Sequence, residues 1–185
     1  MRKVIIASIL GALILSIWSS FIWMATPLPS KMMKTPINPS ALSLLMNGMF
    51  IESGMYQLPS APDGNWANPE FQQAYQMGPR IQVFIDKTGG DPKMLREQGL
   101  AFLHHLLSVL VVAYMLYSLI DKMQNFACRF LFSLAIGGVA SFQMLLDYIW
   151  YPQPLSYHLI MLVVNVIGWA LVALLLAKMI KPQTA

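Results

Sequence analysis

Four ionisable side chains stand inside or at the edge of long apolar runs, and their types suit them for chemistry. They are His104, His105, Asp147 and His158. An ionisable group at membrane depth is costly and therefore marks a candidate functional site. Imidazoles from two helices can ligate haem iron or join a carboxylate around copper, and an Asp–His pair can relay protons. One hypothesis is therefore a redox or metal-handling site.

A structural role for the same four residues is the stronger interpretation. Each falls near the end of its apolar run, where water and lipid headgroups reach, so the cost is far below the ~2.5–3.5 kcal/mol of a midplane charge. His104 and His105 are adjacent and point about 100° apart on a helix, so at most one of them faces a shared cluster. We therefore predict a structural polar cluster with no metal and no cofactor, and keep haem or copper as the alternative.

The sequence carries no signature of catalysis. It contains no G-x-S-x-G elbow, H-E-x-x-H helix, phosphate-binding loop or dinucleotide fingerprint. Cys128 is the single cysteine, which excludes an internal disulfide framework and a multi-thiolate zinc site. No stripe of basic and aromatic residues indicates nucleic acid. We therefore predict a protein that is not an enzyme and has no nucleic-acid partner.

The composition shows what kind of element must position these side chains. The chain has 185 residues, of which 57% are hydrophobic and 11% charged. An average soluble chain is ~25% charged. The mean hydropathy is +0.57 and the formal net charge is +4, and half of the twelve basic residues flank apolar runs. These values exclude a small water-soluble domain and a disordered protein, and they indicate an integral membrane protein.

Four apolar runs are long enough to cross a membrane as helices. A bilayer core of ~30 Å needs about 20 apolar residues. The runs are Val4–Ala25, Leu100–Ile120, Ala127–Trp150 and His158–Ala177. The first run is longer than the ~7–15 apolar residues of a signal-peptide core, which favours an uncleaved anchor.

The basic residues that flank the spans predict their orientation, because lysine and arginine collect on the cytoplasmic side. They are Arg2 and Lys3 before the first span, Lys122 and Arg129 between the second and third, and Lys178 and Lys181 after the fourth. Both termini are therefore predicted to be cytoplasmic, and residues 26–99 periplasmic or extracellular. In this topology the four ionisable residues lie at similar depth near the outer leaflet, where they can converge.

Proline and glycine crowd residues 26–99, but their spacing predicts a small folded cap. Helices are predicted to begin at Pro39, Pro69 and Pro92, because each follows an Asn or Asp that can cap free amide groups. The third of these helices runs without a breaker into the second span. Arg80–Asp86 alternates apolar and polar residues, and Glu52–Leu58 does so more weakly, which predicts two paired strands.

These elements define the predicted fold class. It is an all-α membrane protein with four transmembrane helices and a small, mostly helical or α+β, extracytoplasmic cap between the first and second spans. The predicted domains are an anchor over 1–25, the cap over 26–99 and a three-helix region over 100–185.

Small residues recur at intervals of four on two of the spans, and such stripes let helix backbones approach closely in lipid. We predict that both stripes are helix-packing faces. They are Ser8, Ala12, Ser16 and Ser20 on the first span, and Ser133, Gly137 and Ser141 on the third. The pattern leaves open whether the facing helix belongs to this chain or to a partner.

Several short segments resemble a group of small bacterial integral membrane proteins. The likeness lies in Gly11–Trp18 followed by Trp23, in Gly54–Pro59 and Gly78-Pro79, and in Asp147–Tyr151 leading to Gly168-Trp169. Ala12 stands where the group usually has one of a pair of glycines. The resemblance implies the same architecture and a bacterial inner membrane, and it carries no catalytic residue over.

These observations give three hypotheses for function. The first is a non-catalytic accessory or assembly subunit of a larger inner-membrane complex, with the lipid bilayer and other membrane subunits, or a second copy of the chain, as its partners. The alternative is a copper or haem protein acting at the outer face. A small transporter component is a second alternative, although the sequence shows no polar lining, broken helices or repeated halves.

Overall fold

A computed structural model describes residues 1–182, and the last three residues of the predicted C-terminal region lie outside it. The chain is mostly helical. Its elements are α1 (Arg2–Ser20), a π-helical segment (Phe21–Ala25), α2 (Leu28–Met32), α3 (Pro39–Met49), β1 (Gly54–Leu58), a 3₁₀ turn (Pro62–Gly64), α4 (Pro69–Met77), β2 (Ile81–Ile85), α5 (Leu95–Ser118), a 3₁₀ turn (Ile120–Lys122), α6 (Phe126–Phe142), α7 (Leu145–Trp150) and α8 (Leu155–Met179).

Four helical stretches of the described chain are long and apolar enough to cross a membrane, which makes this a multi-pass membrane protein. They are Arg2–Ala25, Leu95–Ser118, Phe126–Trp150 and Leu155–Met179. Each coincides with one of the four apolar runs, so the predicted spans are confirmed to within a few residues.

The first helix packs between two other spans. α1 packs against both α5 and α8, and α8 in turn packs against α6. The buried residues of α1 recur every three or four positions, as one face of a helix does. They are Val4, Ala7, Ser8, Gly11, Ala12 and Leu15. They meet buried valines and leucines of α5 and α8 in a single core.

Glycines allow the closest helix approaches. A Cβ added at Gly11 would lie 2.7 Å from a Val109 methyl of α5, and one added at Gly168 would lie 2.9 Å from the indole of Trp18. The Trp18 indole N–H also donates to the Val164 carbonyl of α8 at 2.8 Å. Because lipid gives helices no hydrophobic reason to associate, such close packing and interhelical hydrogen bonds hold the bundle together.

The third span is interrupted, which the sequence did not indicate. α6 ends at Phe142, and α7 begins three residues later at Leu145. The Ser141 hydroxyl donates to the Gly137 carbonyl at 2.7 Å, and back-bonding of this kind bends helices. From α8, the Asn165 amide donates to the Met144 sulfur at 3.1 Å, so the neighbouring helix contacts the interruption.

The prediction that Arg129 lies in the turn before the third span is wrong, because Arg129 belongs to α6. Its side chain is 6% exposed. The guanidinium donates to the Ala177 carbonyl at 3.0 Å and to the Met123 and Gln124 carbonyls at 2.9 and 2.7 Å. It therefore joins the last turn of α8 to the connection between α5 and α6.

The segment that joins the first two spans, residues 26–94, is called the connecting segment here. Its predicted strands are confirmed, because β1 and β2 pair antiparallel with Gln57 opposite Gln82. The helices predicted at Pro39 and Pro69 are confirmed as well. The Asn68 side chain accepts from the amides of Glu70 and Phe71 and so caps α4.

The helix predicted to begin at Pro92 begins instead at Leu95, and that prediction is wrong by three residues. The Asp91 carboxylate accepts from the Lys93 amide at 3.0 Å, which closes a turn in place of a helical cap. Met94 follows at φ 50°, a left-handed conformation that separates this turn from α5.

Lys87 attaches the two-stranded ribbon of β1 and β2 to α3. Its ammonium donates to the Asn47 carbonyl at 3.0 Å and to the Phe50 carbonyl at 2.6 Å, at the C-terminal end of that helix. The neighbouring Asp86 carboxylate accepts from the hydroxyl and the amide of Thr88, and these hydrogen bonds lower the pKa of Asp86.

Candidate functional site

The two adjacent histidines of α5 have different surroundings. His105 is half-buried, and its Nδ1 lies 3.1 Å from the Ser16 hydroxyl of α1. His104 is exposed, and the two rings lie 5.9 Å apart in an edge-on arrangement. His105 therefore faces the neighbouring helix and His104 does not. This agrees with the prediction that at most one of the two faces inward.

His158 is buried against the turn between the third and fourth spans. Its side chain is 2% exposed, and its Nε2 lies 2.8 Å from the Gln153 side-chain oxygen. The Tyr157 ring stands edge-on at 5.2 Å and the Tyr148 ring lies at 6.3 Å. Nδ1 is buried and has no hydrogen-bond partner among the residues described.

The structure does not bring the four ionisable residues into one cluster. Asp147 is exposed on α7, His158 packs beside Tyr148 and Tyr157, and His105 faces Ser16 on α1. Within residues 1–182 no three His, Cys, Asp or Glu side chains are placed to hold a metal ion. The copper or haem centre stays an alternative prediction.

The small-residue stripes lie mostly at helix contacts. On α1, Ser8 and Ala12 are buried, Ser16 is half-buried and Ser20 is exposed. All three residues of the stripe on α6, Ser133, Gly137 and Ser141, are buried. Gly137 directly faces the Trp169 indole of α8. The structure thus gives most of the predicted packing residues neighbours within the chain.

Ser16, Ser20 and His105 also line a half-open cavity of about 440 Å³ between α1 and α5. Trp23 of the π-helical segment and Glu97 of the first turn of α5 complete its rim. Two of its polar side chains, Ser16 and His105, bond to each other across the two helices.

The connecting segment has almost no core of its own. Phe71 is its one buried hydrophobic side chain among the residues described. Large apolar side chains elsewhere in the segment stand in the open, including Leu44 at 76%, Met49 at 70% and Ile51 at 91% exposure. Several exposed large apolar side chains in one segment are typical of an interaction surface.

The helix α3 presents the clearest part of this surface. None of its eleven residues is buried, and none carries a charge. Leu42, Leu45 and Met49 lie three and four positions apart, so one face of the helix is apolar. This spacing predicts a helix of a folded cap, but no residue of this face is buried within the described chain.

A second feature missed from the sequence is an aromatic cavity of about 410 Å³ at the end of the bundle that carries the connecting segment. Rings from two distant parts of the chain line it, Trp66 and Tyr75 from the connecting segment and Trp150 and Tyr151 from the end of the third span. Its remaining lining residues are Gln57, Leu58, Arg80, Ile81, Gln82 and Pro152. In the sequence, the spacing of Phe71 and Tyr75 was the one local indication that aromatic rings lie together on α4.

Comparisons with protein-family models, curated proteins and solved structures return no match for this chain. The resemblance to small bacterial membrane proteins therefore stays a prediction. Inference about function rests on the surfaces of the chain itself.

Proposed function

We propose that this protein is a non-catalytic accessory or assembly subunit of a larger bacterial inner-membrane complex. In this proposal the termini are cytoplasmic, and the connecting segment is an extracytoplasmic cap that docks on another membrane subunit. One observation carries the proposal: the connecting segment leaves many large apolar side chains exposed and, among the residues described, buries only Phe71.

A partner explains this surface because a segment of this length cannot stay ordered on one buried side chain. Ordering each residue costs about 1–2 kcal/mol of backbone entropy, whereas burying a large apolar side chain returns about 1.5–3 kcal/mol. The exposed face of α3, with Leu42, Leu45 and Met49, supplies several such side chains. Burial of that face against a second protein stabilises both the segment and the complex.

The experiment is site-specific photocrosslinking in the native host. A photoreactive amino acid replaces Leu45 on α3, and the same amino acid replaces Gln76, an exposed polar position on α4, as a matched control. We expect Leu45 to crosslink to a different membrane protein that also co-purifies in mild detergent, and Gln76 to crosslink weakly. A monodisperse monomer without crosslinks from Leu45 would contradict the proposal, and crosslinks between identical chains would replace the partner by a second copy.

A further inference from the structure

Packed aromatic rings build one wall of the aromatic cavity. Phe71, the one buried hydrophobic side chain of the connecting segment among the residues described, supports this wall. The Trp66 ring stands edge-on to Phe71 at 5.2 Å, and the Tyr75 ring lies at 5.5 Å on its other side. The Asn68 cap of α4 fixes the start of this helix, so the rings are positioned before any ligand arrives.

Arg80 extends this wall with a cation. Its guanidinium lies 5.3 Å from the centre of the Tyr75 ring and donates to the Tyr75 hydroxyl at 3.1 Å. A guanidinium carries five N–H donors, so one that makes a single hydrogen bond here keeps others for a ligand.

The ribbon adds two amides to the same cavity. Gln57 and Gln82 are directly opposite each other in the strand register, so their side chains lie on one face of the ribbon. Each amide carries two hydrogen-bond donors and an acceptor, and one donor of Gln82 is directed at the Met55 sulfur at 3.4 Å. Trp150 and Tyr151 enclose the cavity from the side of the spans.

This combination of groups selects a class of ligand. Flat rings offer apolar platforms, while guanidinium and amide groups at their edges bond hydroxyls. None of the residues that line the cavity is acidic, and Arg80 repels cations, so an ammonium ligand is disfavoured. A sugar ring matches the set, because it has apolar C–H faces and a rim of hydroxyls.

We propose that the aromatic cavity binds one or two sugar rings of a glycan, stacked on Trp66 and hydrogen-bonded by Arg80, Gln57 and Gln82. Its volume of about 410 Å³ falls within the ~300–1,000 Å³ typical of small-ligand pockets. A proline-rich peptide also docks in aromatic grooves, and its carbonyls can accept from the two amides, but proline has no N–H to donate to their oxygens, whereas sugar hydroxyls both donate and accept. The site is separate from α3, so it adds to the proposed docking function and does not depend on it.

The test is calorimetric titration of the full-length protein in lipid nanodiscs with chitotetraose and with cellotetraose, and with a ten-residue polyproline peptide as the competing class. We expect saturable binding of at least one tetrasaccharide. Trp66→Ala should weaken it about tenfold or more, because an aromatic platform is lost, and Trp66→Phe should weaken it less. Trp66 is 61% exposed, so its removal leaves the fold largely intact.

Two further variants separate binding from folding. Gln82→Ala removes a hydrogen-bonding amide without touching the ring stack and should weaken sugar binding severalfold. Trp23→Ala, in the cavity between α1 and α5, should leave it unchanged. The proposal is overturned if neither tetrasaccharide binds saturably, if only the polyproline peptide binds, or if Trp66→Ala and Gln82→Ala bind sugar as tightly as the unaltered chain.

Discussion

At the scale of single residues, Arg129 joins parts of the chain that are far apart in sequence. A buried guanidinium is stable in an apolar setting only when its N–H groups are hydrogen-bonded. Here the acceptors are the carbonyls at the end of α8 and in the connection before α6, groups that a helix leaves unpaired at its C-terminus. Lys87 does the same for α3 with its ammonium.

Replacing Arg129 tests this role. Arg129→Met keeps an apolar stem of similar length and leaves three carbonyls without their donor, so we expect the free energy of unfolding to fall by about 2–4 kcal/mol. The measurement is unfolding by denaturant or heat in a defined detergent. Lys122→Met in the neighbouring exposed turn is the control, with an expected change below about 0.5 kcal/mol. Equal losses in the two variants would show that charge, and not the hydrogen bonds, matters.

Sequence alone placed the ionisable residues on the correct helices but did not show their neighbours. The pairing of His158 with Gln153 and that of His105 with Ser16 depend on how helices rotate against each other. Hydropathy fixes which segments span and says nothing of that rotation. The sequence also gave no sign that Trp66 and Trp150 line one cavity, because only the packing of distant segments brings them together.

At the scale of elements, local signals succeeded where one physical effect dominates. The Asn-Pro starts of α3 and α4 were predictable because a capping side chain and a proline act within one turn. Asp91-Pro92 carries the same signal but starts no helix, because the Asp91 side chain closes a turn with the Lys93 amide and the helix begins at Leu95. The interruption of the third span was not predictable, because residues 139–146 contain no proline or glycine that would indicate a break, and contact with Asn165 accompanies it.

The contact between α6 and α8 gives a prediction at this scale. Gly137 faces the Trp169 ring so closely that an added methyl group would overlap it, whereas a methyl group at the neighbouring Gly138 meets nothing within 4 Å. We expect Gly137→Ala to lower the free energy of unfolding by about 1–3 kcal/mol.

The matched variant Gly138→Ala should be neutral or stabilising by up to about 1 kcal/mol, because alanine is the better helix former. Both variants are compared by unfolding in the same detergent. A loss in Gly138→Ala as large as that in Gly137→Ala would mean that helix flexibility, and not the contact with Trp169, sets the effect.

At the scale of the whole molecule, the proposed orientation has a direct test. Lys122 lies in the turn between the second and third spans, and Ser60 lies in the connecting segment, and both are exposed. In a Cys128→Ala background, Lys122→Cys and Ser60→Cys each carry a single thiol. A membrane-impermeant maleimide added to cells with a permeable outer membrane should label Ser60→Cys alone, and Lys122→Cys only after the inner membrane is opened. The reverse pattern would invert the topology.

The position of α1 between α5 and α8 bears on how the protein is made. This helix is synthesised before both of its packing partners, which begin only at Leu95 and Leu155. Until they emerge, the serine-bearing face of α1 waits in lipid or against the insertion machinery. The helix that α5 and α8 pack against is therefore inserted before either of them. Removal of α1 by a leader peptidase would take away the contacts that join α5 to α8.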